Sequence, residues 1–218
     1  LASGGGVGGG LSVPTITRDP IKGRYFLSMS GVSDLLIRED SPISPGLPNE
    51  GRFRWHTKRA QYLDITSVHC GTDGTADVYH QFYVRTKDGV KYEFGTKPGA
   101  ANCPTEDPSQ PGAPTSFPTS LQFFTRYGGS AWHRYHYRMD VSQITDTSGN
   151  QVAFTYWQDV RTDSGQGGVG SRLYVRSAYP LSIDWGANPP TQPSHVYKVT
   201  FALASDWTIG DQGDIRHD

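Results

Sequence analysis

The chain has 218 residues, with 20 basic and 21 acidic side chains and a formal net charge of −1. This length allows one large all-β unit or two small ones and buries a sizeable core. No basic run marks a nucleic-acid interface, and no apolar stretch of about 18 residues indicates a membrane span. Glycine (26), proline (15) and aromatic residues (12%) are abundant, which favours antiparallel strands and hairpins over helices. We therefore expect an all-β fold.

The first half of the chain begins with a Gly-rich segment, residues 1–10, that we interpret as a linker or as backbone passing through a crowded place. Residues 11–218 are predicted to form one β-rich domain. Its first strand pair is expected at residues 24–30 and 34–38, and the proline-rich residues 40–51 are expected to form a surface loop.

The clearest predicted hairpin lies at residues 78–95. Phe82 and Val84 alternate with Tyr83 and Arg85, and a second alternating run follows Asp88-Gly89. Asp-Gly between two runs of period two is a strong local signal for a hairpin. Residues 96–118 then form a predicted long Pro-rich loop, which in a compact domain is functional, disordered or an insertion.

Two cysteines, Cys70 and Cys103, each lie beside turn-forming residues. They are compatible with one disulfide in an oxidising compartment, and the alternative is two unpaired thiols. On the chain-entropy model, a bridge closing a loop of about 34 residues contributes roughly 3–4 kcal/mol.

The second half shows more regular alternation. Residues 121–127 and 132–141 are predicted strands. Met139 and Val141 lie on one face, but Ile144, three residues after Val141, would lie on the other, which predicts a bulge near Ser142. Residues 161–170 are expected to form a polar loop. Residues 173–179 and 181–185 read as one strand broken at Pro180.

A turn with a distinctive pattern joins two of these strands. Asp146 is followed by Gly149-Asn150 and then by alternating apolar residues that end in Tyr156. Gly149 and Asn150 tolerate positive φ, Asp146 accepts bonds from turn amides, and Tyr156 is expected to pack on a neighbouring hairpin. A calcium loop is the alternative, because oxygen ligands recur at suitable offsets, but the distal Glu is missing.

This unit resembles the repeat of the RHS/YD-repeat family, in which a Gly-Asn turn follows Asp and precedes Tyr. The run at residues 179–186, Tyr-Pro-Leu-Ser-Ile-Asp-Trp-Gly, resembles the family's next strand, with Trp185 in place of Tyr. The run at residues 11–18 resembles the N-terminal shell region shared by the Salmonella plasmid-virulence protein and the insecticidal toxin complex B component. This sequence lacks the family's N-terminal Trp and shows only one YD-like unit. Both ends of the sequence fall in the middle of the family's pattern.

The resemblance implies a curved sheet or part of a YD-repeat β-shell, within a fragment of a longer chain. It implies a structural wall segment of a secreted or cell-surface protein, of toxin or adhesive type. The expected partners are other segments or chains of the same shell, an enclosed toxin domain, or surface glycans. Neither nucleic acid nor a cofactor is expected.

No motif predicts catalysis, and a glycosidase-like pair of carboxylates, which would come together only in space, stays open as an alternative although most Asp lie in turn strings. HExxH, CxxC and Gly-x-Ser-x-Gly are absent, and His133 and His136 fall on opposite faces of a strand, so neither a metal site nor an enzyme is expected. Trp132, Trp157 and Trp185 are candidates for stacking on glycans. A carbohydrate-binding or adhesion module is therefore the alternative function, against the simpler interpretation that these residues pack within the wall.

Overall fold

The computed structural model describes residues 13–19, 21–44, 52–59, 62–72, 77–95, 119–128, 131–164, 171–189 and 191–201. The Gly-rich residues 1–10 and the Pro-rich residues 96–118 lie outside these ranges. The described residues form strands and turns and contain no helix, as the composition predicts for an all-β chain.

Within the described ranges, twelve strands make one antiparallel sheet. Their bounds are β1 Thr15–Arg18, β2 Tyr25–Met29, β3 Val32–Ser44, β4 Arg52–Thr57, β5 Leu63–Thr72, β6 Asp77–Thr86, β7 Lys91–Phe94, β8 Leu121–Gly128, β9 Ala131–Thr145, β10 Gln151–Ser164, β11 Ser171–Ala187 and β12 Tyr197–Thr200.

Eight of these strands close into a barrel. β1 to β7 pair in chain order, β7 pairs with β9, and β9 returns to β1 through Ile16↔Met139 and its neighbours. A barrel of about eight strands is just wide enough for side chains to fill it. The side chains of Tyr25, Trp55 and Phe82 do so here, with ring centroids 5.3–5.5 Å apart. Trp55 Nε1 donates to Ser67 Oγ at 2.7 Å, so the indole is buried with its N–H satisfied.

The long strand β9 also belongs to a second closure. Along one edge of β9, β8 pairs with the first part of the strand and β7 with the last part. Along the other edge, β1 pairs with the middle of β9 and β10 with its end. β10 pairs with β11, and β11 reaches back to β8 through Tyr174↔Phe124. β9 is therefore shared by the eight-stranded barrel and by a four-stranded ring of β8, β9, β10 and β11.

β11 is longer than its partner because it contains three bulges. The register with β10 shifts three times, and each shift places one extra residue on β11, at Arg176, Leu181 and Gly186. Bulges bend a strand and increase the local twist of a sheet, so β11 is expected to bend and twist at these three positions.

Several sequence expectations are confirmed by these strands. The hairpin at residues 78–95 corresponds to β6 and β7, and Phe82 and Val84 are buried together in the core. The register between β7 and β9 skips Ser142, which is the predicted bulge. Three predicted boundaries are wrong. β3 continues to Ser44, β10 continues to Ser164, and β11 runs through Pro180 without interruption, with the extra residue at Leu181.

Candidate functional site

In the YD-like turn, from Asp146 to Asn150, the Asp146 carboxylate accepts bonds from turn amides, as the sequence predicts, whereas positive φ occurs at Gly149 and not at Asn150. Asp146 Oδ1 accepts from the backbone amides of Ser148 at 2.8 Å and Asn150 at 2.9 Å, and its Oδ2 accepts from Asn150 Nδ2 at 2.7 Å. These bonds, first of all those from Asn150, lower the pKa of Asp146. Gly149 has φ 87°, which glycine adopts without strain. Because both carboxylate oxygens already accept hydrogen bonds, the geometry favours a turn over a calcium loop.

Tyr156 on β10 contacts the other strand of its own hairpin, β9. Its side chain is buried, and its hydroxyl donates to the Val141 carbonyl on β9 at 2.6 Å. That carbonyl directly precedes the bulge at Ser142. Burial raises the pKa of Tyr156, and the charge of Asp140 adds to this. Removing the hydroxyl would remove this hydrogen bond from a buried carbonyl, at a net cost of about 0.5–1.5 kcal/mol.

A second turn docks on the YD-like turn. Asn188 Nδ2 donates to the Ser148 carbonyl at 3.2 Å and to Asn150 Oδ1 at 3.1 Å. A Cβ atom placed on Gly149 would lie 3.0 Å from Asn188 Oδ1. Glycine at this position therefore permits both the positive φ and the close approach of the neighbouring turn.

The three tryptophan candidates are not assembled into one row. Trp157 stacks on Tyr179 and Trp185 stacks on Tyr197, each pair with an interplanar angle of 24°. Trp185 pairs with Val152, so these two side chains share a face. Trp157 lies five residues after Val152 on β10, which has no bulge residue in between, so it lies on the opposite face. Trp132 lies in β9, and its side chain is outside the described part of the chain.

An apolar strip runs across one face of β11 and β12. Trp185 pairs with Tyr197 and Ile183 pairs with Val199, so these side chains share a face. Trp185, Tyr197 and Val199 are 37%, 59% and 42% exposed, and Phe201 continues the line at 38%. Within the described residues, β12 pairs with β11 alone. The strip thus ends at an outer strand edge whose large apolar side chains face solvent, an arrangement typical of an interaction surface.

A buried polar network lies where the barrel meets the four-stranded ring. The Asp140 carboxylate is buried, and it accepts from Gln122 Nε2 and from Arg138 Nε, each at 2.7 Å. Burial raises the pKa of Asp140, and Arg138 opposes this shift. The Tyr137 hydroxyl lies 3.2 Å from Gln122 Oε1 and donates to the Val175 carbonyl at 2.6 Å.

The sequence patterns do not predict this network. A charged residue between the apolar Met139 and Val141 was the available signal, because a carboxylate in mid-strand requires partners when it is buried. The partners themselves come from β8 and from a second bulge. The β8–β9 register skips Tyr137, which turns its side chain toward Gln122 and β11.

The cysteine prediction remains a prediction. Cys70 lies in β5, and Cys103 lies outside the described residues. No group of three or more His, Cys, Asp or Glu side chains within the described ranges is placed to hold a metal ion. The same part of the chain has no helix long and apolar enough to cross a membrane.

No protein-family model and no curated protein sequence matches the chain. Among solved structures, the chain is similar to the N-terminal domain of effector protein SpvB from Salmonella typhimurium strain LT2, with 13% identity and a TM-score of 0.50, over 88% of this chain and 58% of that chain. It is also similar to a chain of the Photorhabdus luminescens Tc holotoxin pore, with 13% identity, a TM-score of 0.47 and 87% of this chain covered. A chain of the TcdB2–TccC3–Cdc42 complex has 14% identity, a TM-score of 0.48 and the same coverage.

The chain spans 9% of the length of each of these two toxin chains. The neighbours are those that the sequence resemblance indicated, the plasmid-virulence effector and the Tc toxin component. At this level of identity the likeness concerns the fold, and the chain has the fold of the SpvB N-terminal domain.

Proposed function

We propose that the chain is a structural wall segment of a β-shell in a secreted or cell-surface protein of toxin type. In this role it has no catalytic task. The barrel anchors the segment, and the sheet of β10, β11 and β12 extends the wall toward its neighbours. The partners are other segments or chains of the same shell, which add strands to this sheet.

The outer edge at β12 is the observation that supports this proposal. Tyr197 and Val199 are exposed, although their register partners on β11 continue an apolar face. Gly186 has φ 90°, and a Cβ there would lie 3.2 Å from Tyr197 Cδ2, so its lack of a side chain leaves room for the ring. The chain therefore positions large apolar side chains beside a strand edge, where an added strand would bury them.

A carbohydrate-binding or adhesive module has less support. The stacked pair of Trp157 and Tyr179 offers an aromatic surface with Trp157 39% exposed. Trp185 lies on the opposite face, so the two tryptophans do not make one platform for a sugar chain. Binding on a glycan array that is lost in Trp157→Ala and retained in Trp185→Ala would favour this alternative.

Site-specific photo-crosslinking tests the wall proposal. A photoreactive phenylalanine analogue at position 197 is expected to crosslink to strands of the same assembly in cells that produce the protein. The matched control carries the analogue at position 62, where Tyr62 is 87% exposed and directly precedes β5, a strand that pairs with β4 and β6.

Mass spectrometry then identifies the crosslinked peptide. Shell peptides captured from position 197, in excess over position 62, support the proposal. Equal capture from both positions, or capture of unrelated proteins alone, contradicts it.

A further inference from the structure

The four-stranded ring is closed by a weak seam between β8 and β11. Within the described residues these strands share one register pair, Tyr174↔Phe124. The β10–β11 and β8–β9 pairs, by contrast, run along most of their strands. The fourth junction, between β9 and β10, has three register pairs. Because each paired residue adds backbone hydrogen bonds, the β8–β11 seam is the junction of this ring with the least backbone pairing within the described residues.

A side chain from β9 bridges the seam. The Tyr137 ring lies 6.2 Å from the Phe124 ring on β8, and its hydroxyl donates to the Val175 carbonyl on β11 at 2.6 Å. Burial raises the pKa of Tyr137 to about 12, so this hydroxyl remains a donor at neutral pH. Gln122 Oε1 lies 3.2 Å from the same hydroxyl, and Gln122 Nε2 in turn donates to Asp140 Oδ2.

One end of the seam is fixed more firmly. Gln158 Nε2 on β10 donates to the Thr119 carbonyl at 2.8 Å and to the Leu121 carbonyl at 2.6 Å. The Tyr156 amide donates to Thr119 Oγ1 at 3.3 Å. The start of β8 is therefore tied to β10, whereas the described ties between the middle of β8 and β11 include the Tyr174↔Phe124 register pair and the Tyr137 bridge.

We propose that the β8–β11 seam is a gate that opens while the eight-stranded barrel stays closed. Tyr137 is the latch, and the Thr119–Leu121 attachment to β10 is the hinge. Opening exposes the facing edges of β8 and β11. This inference rests on the geometry of the ring and does not require the proposed wall function.

Amide hydrogen exchange on the full chain tests the gate. In the wild type, segments 121–128 and 171–180 are expected to exchange faster than the barrel segment 25–36, because local opening is cheaper than global unfolding. Tyr137→Phe removes the bond to Val175 and keeps the ring. It is expected to speed exchange in the two seam segments about five- to tenfold and to leave the barrel unchanged.

The matched control is Tyr62→Phe at an exposed position, which is expected to change nothing. Equal protection of seam and barrel in the wild type overturns the proposal, and this comparison needs no variant to fold. A uniform increase across the whole chain in Tyr137→Phe also overturns it, because the seam would then not be a separate opening unit.

Discussion

Asp146 shows how one residue organises a connection. Its carboxylate is exposed, yet it fixes the turn through bonds to two backbone amides and one side-chain amide. The same residue was identified in the sequence because Asp, Gly and Asn each have a specific use in turns. Local chemistry of this kind is recoverable from sequence, since the donor and acceptor lie within four positions of each other.

Replacing Asp146 by Ala should destabilise the protein in a pH-dependent manner. The turn bonds lower the pKa of Asp146 below its ordinary value of 3.8, so the folded state favours the ionised form. This stabilisation is present above the unfolded pKa and is lost as pH falls through the folded pKa. Thermal unfolding should show a Tm difference between wild type and variant that is full at neutral pH and narrows in acid.

Asp88, an exposed residue in the neighbouring hairpin turn, provides the control. Its replacement by Ala should lower Tm less at neutral pH. If the Asp146→Ala difference were the same at neutral and acidic pH, the ionised carboxylate would not be the group that holds the turn.

Elements of this fold meet at their turns. The β6–β7 turn packs on the β9–β10 turn, because a Cβ on Gly89 would lie 2.7 Å from Thr147 Cγ2. The β9–β10 turn in turn receives Asn188 from the loop after β11. Three connections that are distant in sequence are therefore adjacent in the structure.

Gly89→Ala should cost more stability than Gly31→Ala. Both glycines have positive φ, 83° and 77°, but the space around Gly31 is open. Alanine at either position bears about 1–2 kcal/mol of left-handed strain, and only Gly89→Ala adds the clash with Thr147. In denaturant unfolding, adding Thr147→Ser to Gly89→Ala should restore the part of the unfolding free energy that the clash removes. The part that the left-handed backbone strain removes should stay lost.

A double-mutant cycle separates these two contributions. The coupling free energy between Gly89→Ala and Thr147→Ser should be clearly favourable, whereas Gly31→Ala and Thr147→Ser should be additive. Additivity in both cycles would show that the two turns do not touch in solution.

The strands themselves were predictable to different degrees. The β6–β7 hairpin and the Ser142 bulge followed from alternation and parity, which are local properties of the chain. The ends of β3 and β10 were missed, because polar residues continue these strands where pairing partners exist. The bulge at Tyr137 and its link to Val175 depend on β8 and β11, and no pattern within β9 alone indicates them.

At the scale of the whole molecule, closure was not predictable. The sequence indicated a curved sheet, but the pairing of β1 with β9 joins segments that are far apart in the chain. Such non-local pairing is set by the packing of the barrel core rather than by strand propensity. The same closure pairs both edges of β1 and β7, and it leaves β12 as an outer edge within the described residues.

A cryo-electron microscopy structure of the assembly in which the chain works tests the wall proposal most directly. We expect a further strand hydrogen-bonded to the outer edge of β12, with Trp185 and Tyr197 buried beneath its side chains. An assembled protein in which the β12 edge and this aromatic pair still face solvent would contradict it.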